Sequence, residues 1–532
     1  MIPYYVISVV GFHRTEEKTT NRTKNSMRNI AFGLGGQILN ILMSFAARVV
    51  LVHVLGDLYA GIAGNFTNIL MVFSLADLGV GTAIIYALYK PIAHHDEQKI
   101  RQLMNLYSRA YMIIGCVIIG LGLMLLPFID LLMKTDAVIP HLRLIFMLFV
   151  VNTASTYFLS YKGTLITANQ KNYIVTNVTY GTSIANYVLQ IVIILVTKNY
   201  LLSLGLQVFT NILQGVILWI IANRMYPYIR DTRDAKLPAE ERKGIFRNVF
   251  SMVYYRVGQV VLNGTDSMVI SSMIGVIENG IYSNYNLLLT TIKNLLQQVF
   301  HAITASVGNL NTLETEERKY SVFNMIFFGN FWMFGFSSVC FWELINPFIA
   351  IVFGPSRVMD PLTVFFLVLN FYLLGMRNTI ITFRDTMGIF RQGRFIPLSG
   401  ALINIVVSIL LAPKLGIMGV SLGTTISIVA TMLWLEPIVL FKHGFKGRSP
   451  MRYFAKYAMY LLVTAASAIA TELACGLMFG EEYGIGFFIL RMLMCMILPN
   501  AIFYVLFSRT EEFRELKGRA MSVLRRKLRK QA

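Results

Sequence analysis

Gly56-Asp57-Leu58-Tyr59-Ala60-Gly61-Ile62-Ala63-Gly64-Asn65-Phe66 returns, altered but recognisable, as Gly275-Val276-Ile277-Glu278-Asn279-Gly280-Ile281-Tyr282-Ser283-Asn284-Tyr285. Both stretches obey one pattern, G-x4-G-I-x2-N-[FY]. A second pair, Asn169-Gln170-Lys171-Asn172-Tyr173-Ile174 and Arg391-Gln392-Gly393-Arg394-Phe395-Ile396, recurs at nearly the same offset. Two matches in one register point to an internal duplication. What is duplicated follows from the residues between the copies.

Those residues are overwhelmingly apolar. Of 532 residues, 56% are hydrophobic and only 14% charged, against about 45–50% and about 25% in soluble domains. Mean hydropathy is +0.61. A water-soluble fold is excluded, and the chain is read as an all-α polytopic membrane protein. Apolar runs bounded by Gly, Pro, Asn and charge clusters give about fourteen spans, each near the 20 residues that cross a hydrocarbon core of about 30 Å. Among them are 60–89, 248–275, 279–308, 395–413 and 417–441. Helices are required, because lipid offers no partner for an unpaired amide and the segments are too long for barrel strands.

Six spans separate the two copies of the motif, an even number, so the copies run in the same direction through the membrane. Parallel repeats of this kind are related by an axis along the membrane normal. The expected organisation is an N-terminal cytoplasmic or interfacial segment 1–27, a six-helix lobe 28–223, a basic linker 224–247, a second, pseudo-symmetric six-helix lobe 248–441, two additional helices 442–507 as an appendage, and a basic tail 508–532. The apolar start precedes the basic cluster His13-Arg14, the reverse of a signal peptide's order, so no cleaved signal is expected.

Charge fixes the orientation. Lys and Arg total 47 against 27 Asp and Glu, a net +20. With both termini inside, about 34 basic residues fall in cytoplasmic segments, about five outside and about eight within spans. The basic excess is therefore a topology signal rather than a nucleic-acid surface, and anionic inner-leaflet lipids are its expected partner. The tail GRAMSVLRRKLRKQA suits either a solvated topology signal or a basic amphipathic helix on that leaflet.

No enzyme signature is present: no HExxH, phosphate-binding loop, GxSxG or GxGxxG. The four cysteines lie in apolar runs without a metal-ligand pattern, so neither a disulfide framework nor a metal or other cofactor is expected. The informative residues are ionisable groups inside spans, each costing about 2.5–3.5 kcal/mol on insertion scales. Arg109, Lys162, Arg384 and Glu436 lie near the cytoplasmic face and are expected to reach headgroups. Glu343, Glu472 and Arg491 lie toward the outer side. Arg48, Asp77, Arg256, Asp266, Lys293 and Arg377 sit away from the ends of spans in both lobes. Facing lobes would gather them around an aqueous cavity near midplane, whose cationic excess suits an anionic ligand, since arginine forks onto phosphate oxygens. Buried pairs serving packing alone are the competing reading of the two aspartates. Gly79 and Gly81 beside Asp77 permit a bend or close helix packing.

The run NIAFGLGGQILNILMSFAARVVLVHVLGDLYAGIAGNFTNILMVFSLADLGVGTAIIYALYKPIA resembles the start of bacterial oligosaccharide flippases, the polysaccharide-biosynthesis membrane proteins of the multidrug/oligosaccharidyl-lipid/polysaccharide exporter superfamily. NGTDSMVISSMIGVIENGIYSNYNLL resembles that family's seventh and eighth spans. The resemblance extends over about residues 28–510. It implies a transporter, not an enzyme, moving a lipid-linked oligosaccharide on a polyprenyl pyrophosphate carrier to the outer leaflet of the cell membrane. It also implies a polysaccharide polymerase and glycosyltransferases as partners. Arg48 and Arg256 occupy positions where relatives carry cavity arginines; Lys293 and Arg377 join them as expected headgroup ligands, with Asp77 and Asp266 tuning charge or coupling to a cation. A lipid-linked peptidoglycan precursor flippase and a cation-coupled multidrug exporter of the same superfamily are the alternatives; the arginine excess argues against the exporter.

Overall fold

A computed structural model describes residues 35–77, 80–134, 139–169, 171–231, 264–389, 392–445, 447–480 and 484–519, with short pieces between 234 and 242 and single residues at 258, 260 and 521. The N-terminal segment 1–27, Arg256, half of the expected span 248–275 and the tail beyond 521 lie outside the described residues. Ten helices among the described residues are long and apolar enough to cross a membrane. This is a multi-pass membrane protein.

The chain divides into two compact units, residues 1–253 and 254–532. In the first, α1 is Gly35–Leu55, followed by α2 (Asp57–Phe73), a tight turn Ser74–Asp77, α3 (Val80–Ala93), α4 (Glu97–Leu125), α5 (Leu142–Ala168), α6 (Asn172–Thr197) and α7 (Tyr200–Met225). The expected span 60–89 is thus a broken helix. Caps set the starts: the Asp96 carboxylate accepts from the Lys99 backbone amide at 2.9 Å, and the Asn199 side chain accepts from Leu202 at 3.1 Å, each satisfying an amide with no helical partner. The outer face of α6 presents Val188, Leu189, Val192, Leu195 and Val196, all exposed, while Asn65, Asn105 and Asn186 are buried. Apolar outside and amide inside is the arrangement hydrocarbon favours.

The second unit holds α8 (Val276–Leu313), α9 (Glu316–Phe353), α10 (Pro361–Met376), α11 (Asn378–Thr386), α12 (Ile396–Ser427), α13 (Leu433–His443), α14 (Met451–Phe479) and α15 (Ile485–Phe507). At 38 residues each, α8 and α9 are about 57 Å long, far more than a bilayer core. α12 is not one rod. Gly416 has φ 59, ψ −140, and residues on either side of it meet: a Cβ on Gly419 would touch the Leu411 carbonyl, one on Gly423 would touch Ser408, and the Asn404 amide donates to Thr424 at 2.7 Å. Contacts stepping symmetrically away from one residue define a helical hairpin, and its arms correspond to the expected spans 395–413 and 417–441. A β-carbon at φ 59 is strained, which is why glycine makes the turn.

The two C-terminal helices are expected as an appendage, yet they share the second unit's core. Phe331 of α9 stacks on Tyr460 of α14 at 4.3 Å and 11°, and lies 4.8 Å from Phe503 of α15. Phe327 lies 4.7 Å from Tyr453. Aromatic contacts of this kind add about 0.5–1.5 kcal/mol each beyond area burial.

The two copies of the motif occupy similar local settings. Gly56 and Gly275 both precede a helix. Asn65 and Asn284 are both buried, as are the aromatic residues Phe66 and Tyr285 that close the motif. The second pair falls in corresponding connections, between α5 and α6 and between α11 and α12.

Candidate functional site

In the first unit, Asp77 closes the turn between α2 and α3 and accepts a hydrogen bond from the Gly81 backbone amide at 3.4 Å. Opposite stand Tyr107 and Tyr111 of α4, with ring centroids 4.4 Å apart. Tyr157 and Tyr161 of α5 flank them at 5.3 Å from Tyr111 and 6.4 Å from Tyr107 respectively. The Tyr107 hydroxyl is 3.3 Å from Thr164 Oγ1. A Cβ on Gly81 would lie 2.5 Å from the Tyr111 hydroxyl and 3.0 Å from that of Tyr107, so the absent side chain lets these hydroxyls approach the broken helix. Two tyrosines four apart on each of two consecutive helices were visible in the sequence and carried no expectation there.

Arg48 donates to the Ala60 carbonyl at 3.3 Å, near the start of α2, with Asp57 and Tyr200 in its electrostatic neighbourhood. Asp77 lies beyond the far end of α2, about 25 Å away along the helix axis. The first unit therefore does not bring Arg48 and Asp77 together. Lys162, expected to reach headgroups, is instead buried; its ammonium donates to Asn223 Oδ1 at 2.7 Å and the Ile229 carbonyl at 3.4 Å, and sits 4.8 Å over the Trp219 ring. Neutral partners retain it because they connect α5 to the segment after α7. That segment lies along α4: Arg101 donates to the Asp231 carbonyl at 3.0 Å, Asn105 to the Ala235 carbonyl at 2.9 Å, and Lys99 pairs with Glu241. Arg109 is exposed.

The second unit does assemble expected residues. A cavity of about 90 Å³ is lined by Asp266, Tyr282, Asn286, Thr290, Lys293 and Thr424, among others. Positions 282, 286, 290 and 293 form one stripe of α8, spaced as a single helical face requires. Thr424 donates to the Asp266 carboxylate, its oxygen 3.1 Å from Oδ2. Asn404 donates to Thr424 and accepts from Thr265 at 3.1 Å. Asp266 is thus set among side-chain oxygens on one wall, with Lys293 on another.

Arg377, expected among the headgroup ligands, is engaged elsewhere. It occupies the break between α10 and α11, and its Nε and Nη2 donate to Glu436 Oε2 and Oε1 at 2.9 and 2.8 Å. Both residues are buried, at 5% and 3% exposure, so this fork is already filled by a protein carboxylate. Glu436 and Arg384, expected to reach headgroups, are instead buried. Arg384 holds Asp385 at 2.7 Å and lies 3.9 Å from Glu436. A carboxylate between two guanidiniums needs no solvent. Arg377 still acts electrostatically on Lys293. Toward the other end of α9, Glu343 receives Arg491 at 2.9 Å and Glu472 receives the Trp342 indole at 3.0 Å.

The sequence profile described as polysaccharide biosynthesis protein matches residues 26–304. The chain belongs to that family. No curated protein sequence matches it. In fold, this family member is similar to the lipid II flippase MurJ in an inward closed conformation, with TM-score 0.67 and 13% identity over 90% of this chain and 99% of that one. It is also similar to an inward-facing multidrug resistance MATE family transporter of the MOP superfamily, with TM-score 0.61, 14% identity, and 77% and 96% covered. The Vibrio cholerae MATE transporter VcmN in its bent form aligns at TM-score 0.52, 12% identity, and 80% and 98% covered. The fold of this polysaccharide biosynthesis protein is therefore that of MOP superfamily transporters.

Proposed function

We propose that the chain is a flippase, moving a polyprenyl-pyrophosphate-linked oligosaccharide from the inner to the outer leaflet of the plasma membrane by alternating access of its two lobes. In this reading it has fourteen spans, both termini in the cytoplasm and no catalytic chemistry. The family match over residues 26–304 carries the reading. A glycan on pyrophosphate cannot cross about 30 Å of hydrocarbon unaided, while its polyprenyl tail can remain in lipid. Arg48, Arg256 and Lys293 hold the pyrophosphate, and glycosyltransferases and a polymerase supply and consume the cargo.

Asp266 has a separate role. A cavity of about 90 Å³ has room for a few waters or one small cation, each water occupying about 30 Å³ in the liquid. Its oxygen ligands suit a hard cation or a proton, which makes this the coupling position in the second unit. Asp77, among tyrosine hydroxyls, tunes charge in the first.

The reading is tested with Arg48→Ala and Lys293→Ala, scoring lipid-linked glycan that reaches the outer leaflet. Losing a charge-assisted contact to phosphate, about 1.5–3 kcal/mol, should lower transport about tenfold or more. Unchanged export at normal protein levels removes both residues from the mechanism.

A further inference from the structure

The ends of α8 and α9 that meet at Glu314 and Thr315 enclose a second space. A groove of about 350 Å³ runs between them, walled by Phe300, Ile303 and Val307 on α8 and by Met325, Ile326 and Met333 on α9, with Leu516 and Arg519 over it. Gly329 forms part of its floor: a Cβ there would sit 3.8 Å from Leu516, so the short helix following α15 rests across the position where a side chain is missing. The groove opens beside Val299 and Ser306, both exposed. Its walls run from 299 to 310 on α8 and from 322 to 333 on α9, about 17 Å in each case. That length is close to the depth of one leaflet, half of a hydrocarbon core of about 30 Å.

The mouth is cationic. Glu515 is shared by Arg318 at 2.9 Å and Arg519 at 3.1 Å, and both arginines are about half exposed. Residues 509–532 carry nine Lys or Arg against three Glu. An apolar slot of single-leaflet length, ending at guanidiniums, matches an amphiphile with a hydrocarbon chain and an anionic head. We infer that this groove holds one acyl chain of an anionic phospholipid, with its phosphate against Arg519 and Arg318. The occupant is a bilayer lipid bound at a fixed place, distinct from the transported cargo and from diffuse attraction of the basic tail.

The full-length protein is placed in nanodiscs containing phosphatidylglycerol or phosphatidylcholine with a diazirine on one acyl chain, and crosslinked peptides are mapped. Both leaflets of a nanodisc carry the probe, so the outcome does not depend on the orientation or on the transport reading. Phosphatidylglycerol should label residues 299–310 and 322–333 in preference to phosphatidylcholine. Arg519→Gln should reduce that preference about fivefold, the effect of one basic residue near an anionic headgroup. Gly329→Leu should abolish labelling at these peptides while leaving labelling on α6 intact. Ser306→Phe plugs the groove from an exposed position and should do the same if the glycine variant fails to fold. Equal labelling by the two lipids, labelling indifferent to both plugs, or displacement by polyprenyl phosphate but not by unlabelled phosphatidylglycerol each overturns the assignment.

Discussion

In the first unit the helix that carries the repeat motif stops at Phe73, is followed by a short turn Ser74–Asp77, and a new helix starts at Val80, whereas its counterpart in the second unit runs unbroken from Val276 to Leu313. The second unit places its break one helix pair later, at Arg377 between α10 and α11. The polar groups diverge in the same way. Around its break the first unit gathers hydroxyls, from Tyr107, Tyr111 and Tyr157, near one carboxylate. The second uses a bidentate ion pair, Arg377 to Glu436, and keeps Lys293 and Asp266 on a cavity. The two motif copies share the positions that govern helix approach, the glycines, the buried amides and the closing aromatic. The charges have been distributed anew.

The largest effect expected from this difference is at Glu436. Glu436→Gln strips the buried Arg377 and Arg384 of the carboxylate they face, and breaking a buried pair from one side costs about 3–5 kcal/mol. Thermal unfolding of the purified protein should register that loss. The double substitution Arg377→Met with Glu436→Met removes both charges together and should recover most of it, since apolar replacement of an ion pair is often neutral or better. A double variant no more stable than the single would show that the pair is not what holds α11 to α13.

In the first unit the corresponding weak point is steric. Gly81→Ala drives a methyl to within 2.5 Å of the Tyr111 hydroxyl, and overpacking of this kind costs about 1–3 kcal/mol. Tyr111→Phe in the same chain withdraws the clashing oxygen and should return part of the loss. If the two substitutions simply add in a double-mutant cycle, the glycine is not there to admit the tyrosines.

How far the sequence foretold these features depends on the range of the interaction. Hydropathy, the repeat and the charge asymmetry are properties of contiguous segments, so the membrane class and both arms of the Gly416 hairpin could be read directly. The break near Asp77 was signalled by Gly79 and Gly81. The pairing of Arg377 with Glu436 was not, because the two are 59 positions apart and the sequence assigns them to different places, Arg377 away from the span ends on a cavity and Glu436 near the cytoplasmic face. The burial of Lys162 is hidden in the sequence for a related reason: its partners, Asn223 and the Ile229 carbonyl, carry no charge that would mark them in advance. The length of α8 was also underread at 279–308, since a helix that leaves the bilayer continues past the point where hydropathy marks its end.

The smallest expected effect separates the two units by pH. In the first, Arg101 and Asn105 hold the segment after α7 through backbone carbonyls, which do not titrate, beside the Lys99–Glu241 pair. In the second, the helix after α15 is held by carboxylates: Glu512 accepts from Lys456 and Glu515 from Arg318. Burial alone would raise the Glu512 carboxyl, but the Lys456 ammonium outweighs it and keeps the group below the usual glutamate range. Glu512 therefore binds its proton less readily folded than unfolded. Its stabilisation is complete above the ordinary glutamate value of about 4.3 and fades as pH falls through the lower folded value. Partly exposed pairs contribute under about 1 kcal/mol, so Glu512→Gln should melt slightly below the parent protein at neutral pH, and the two should converge as the solution is acidified. Arg101→Ala should open a gap that holds steady over the same range. If the Glu512→Gln gap also stays constant down to about pH 3, well below that ordinary value, the carboxylate is not what fastens this helix.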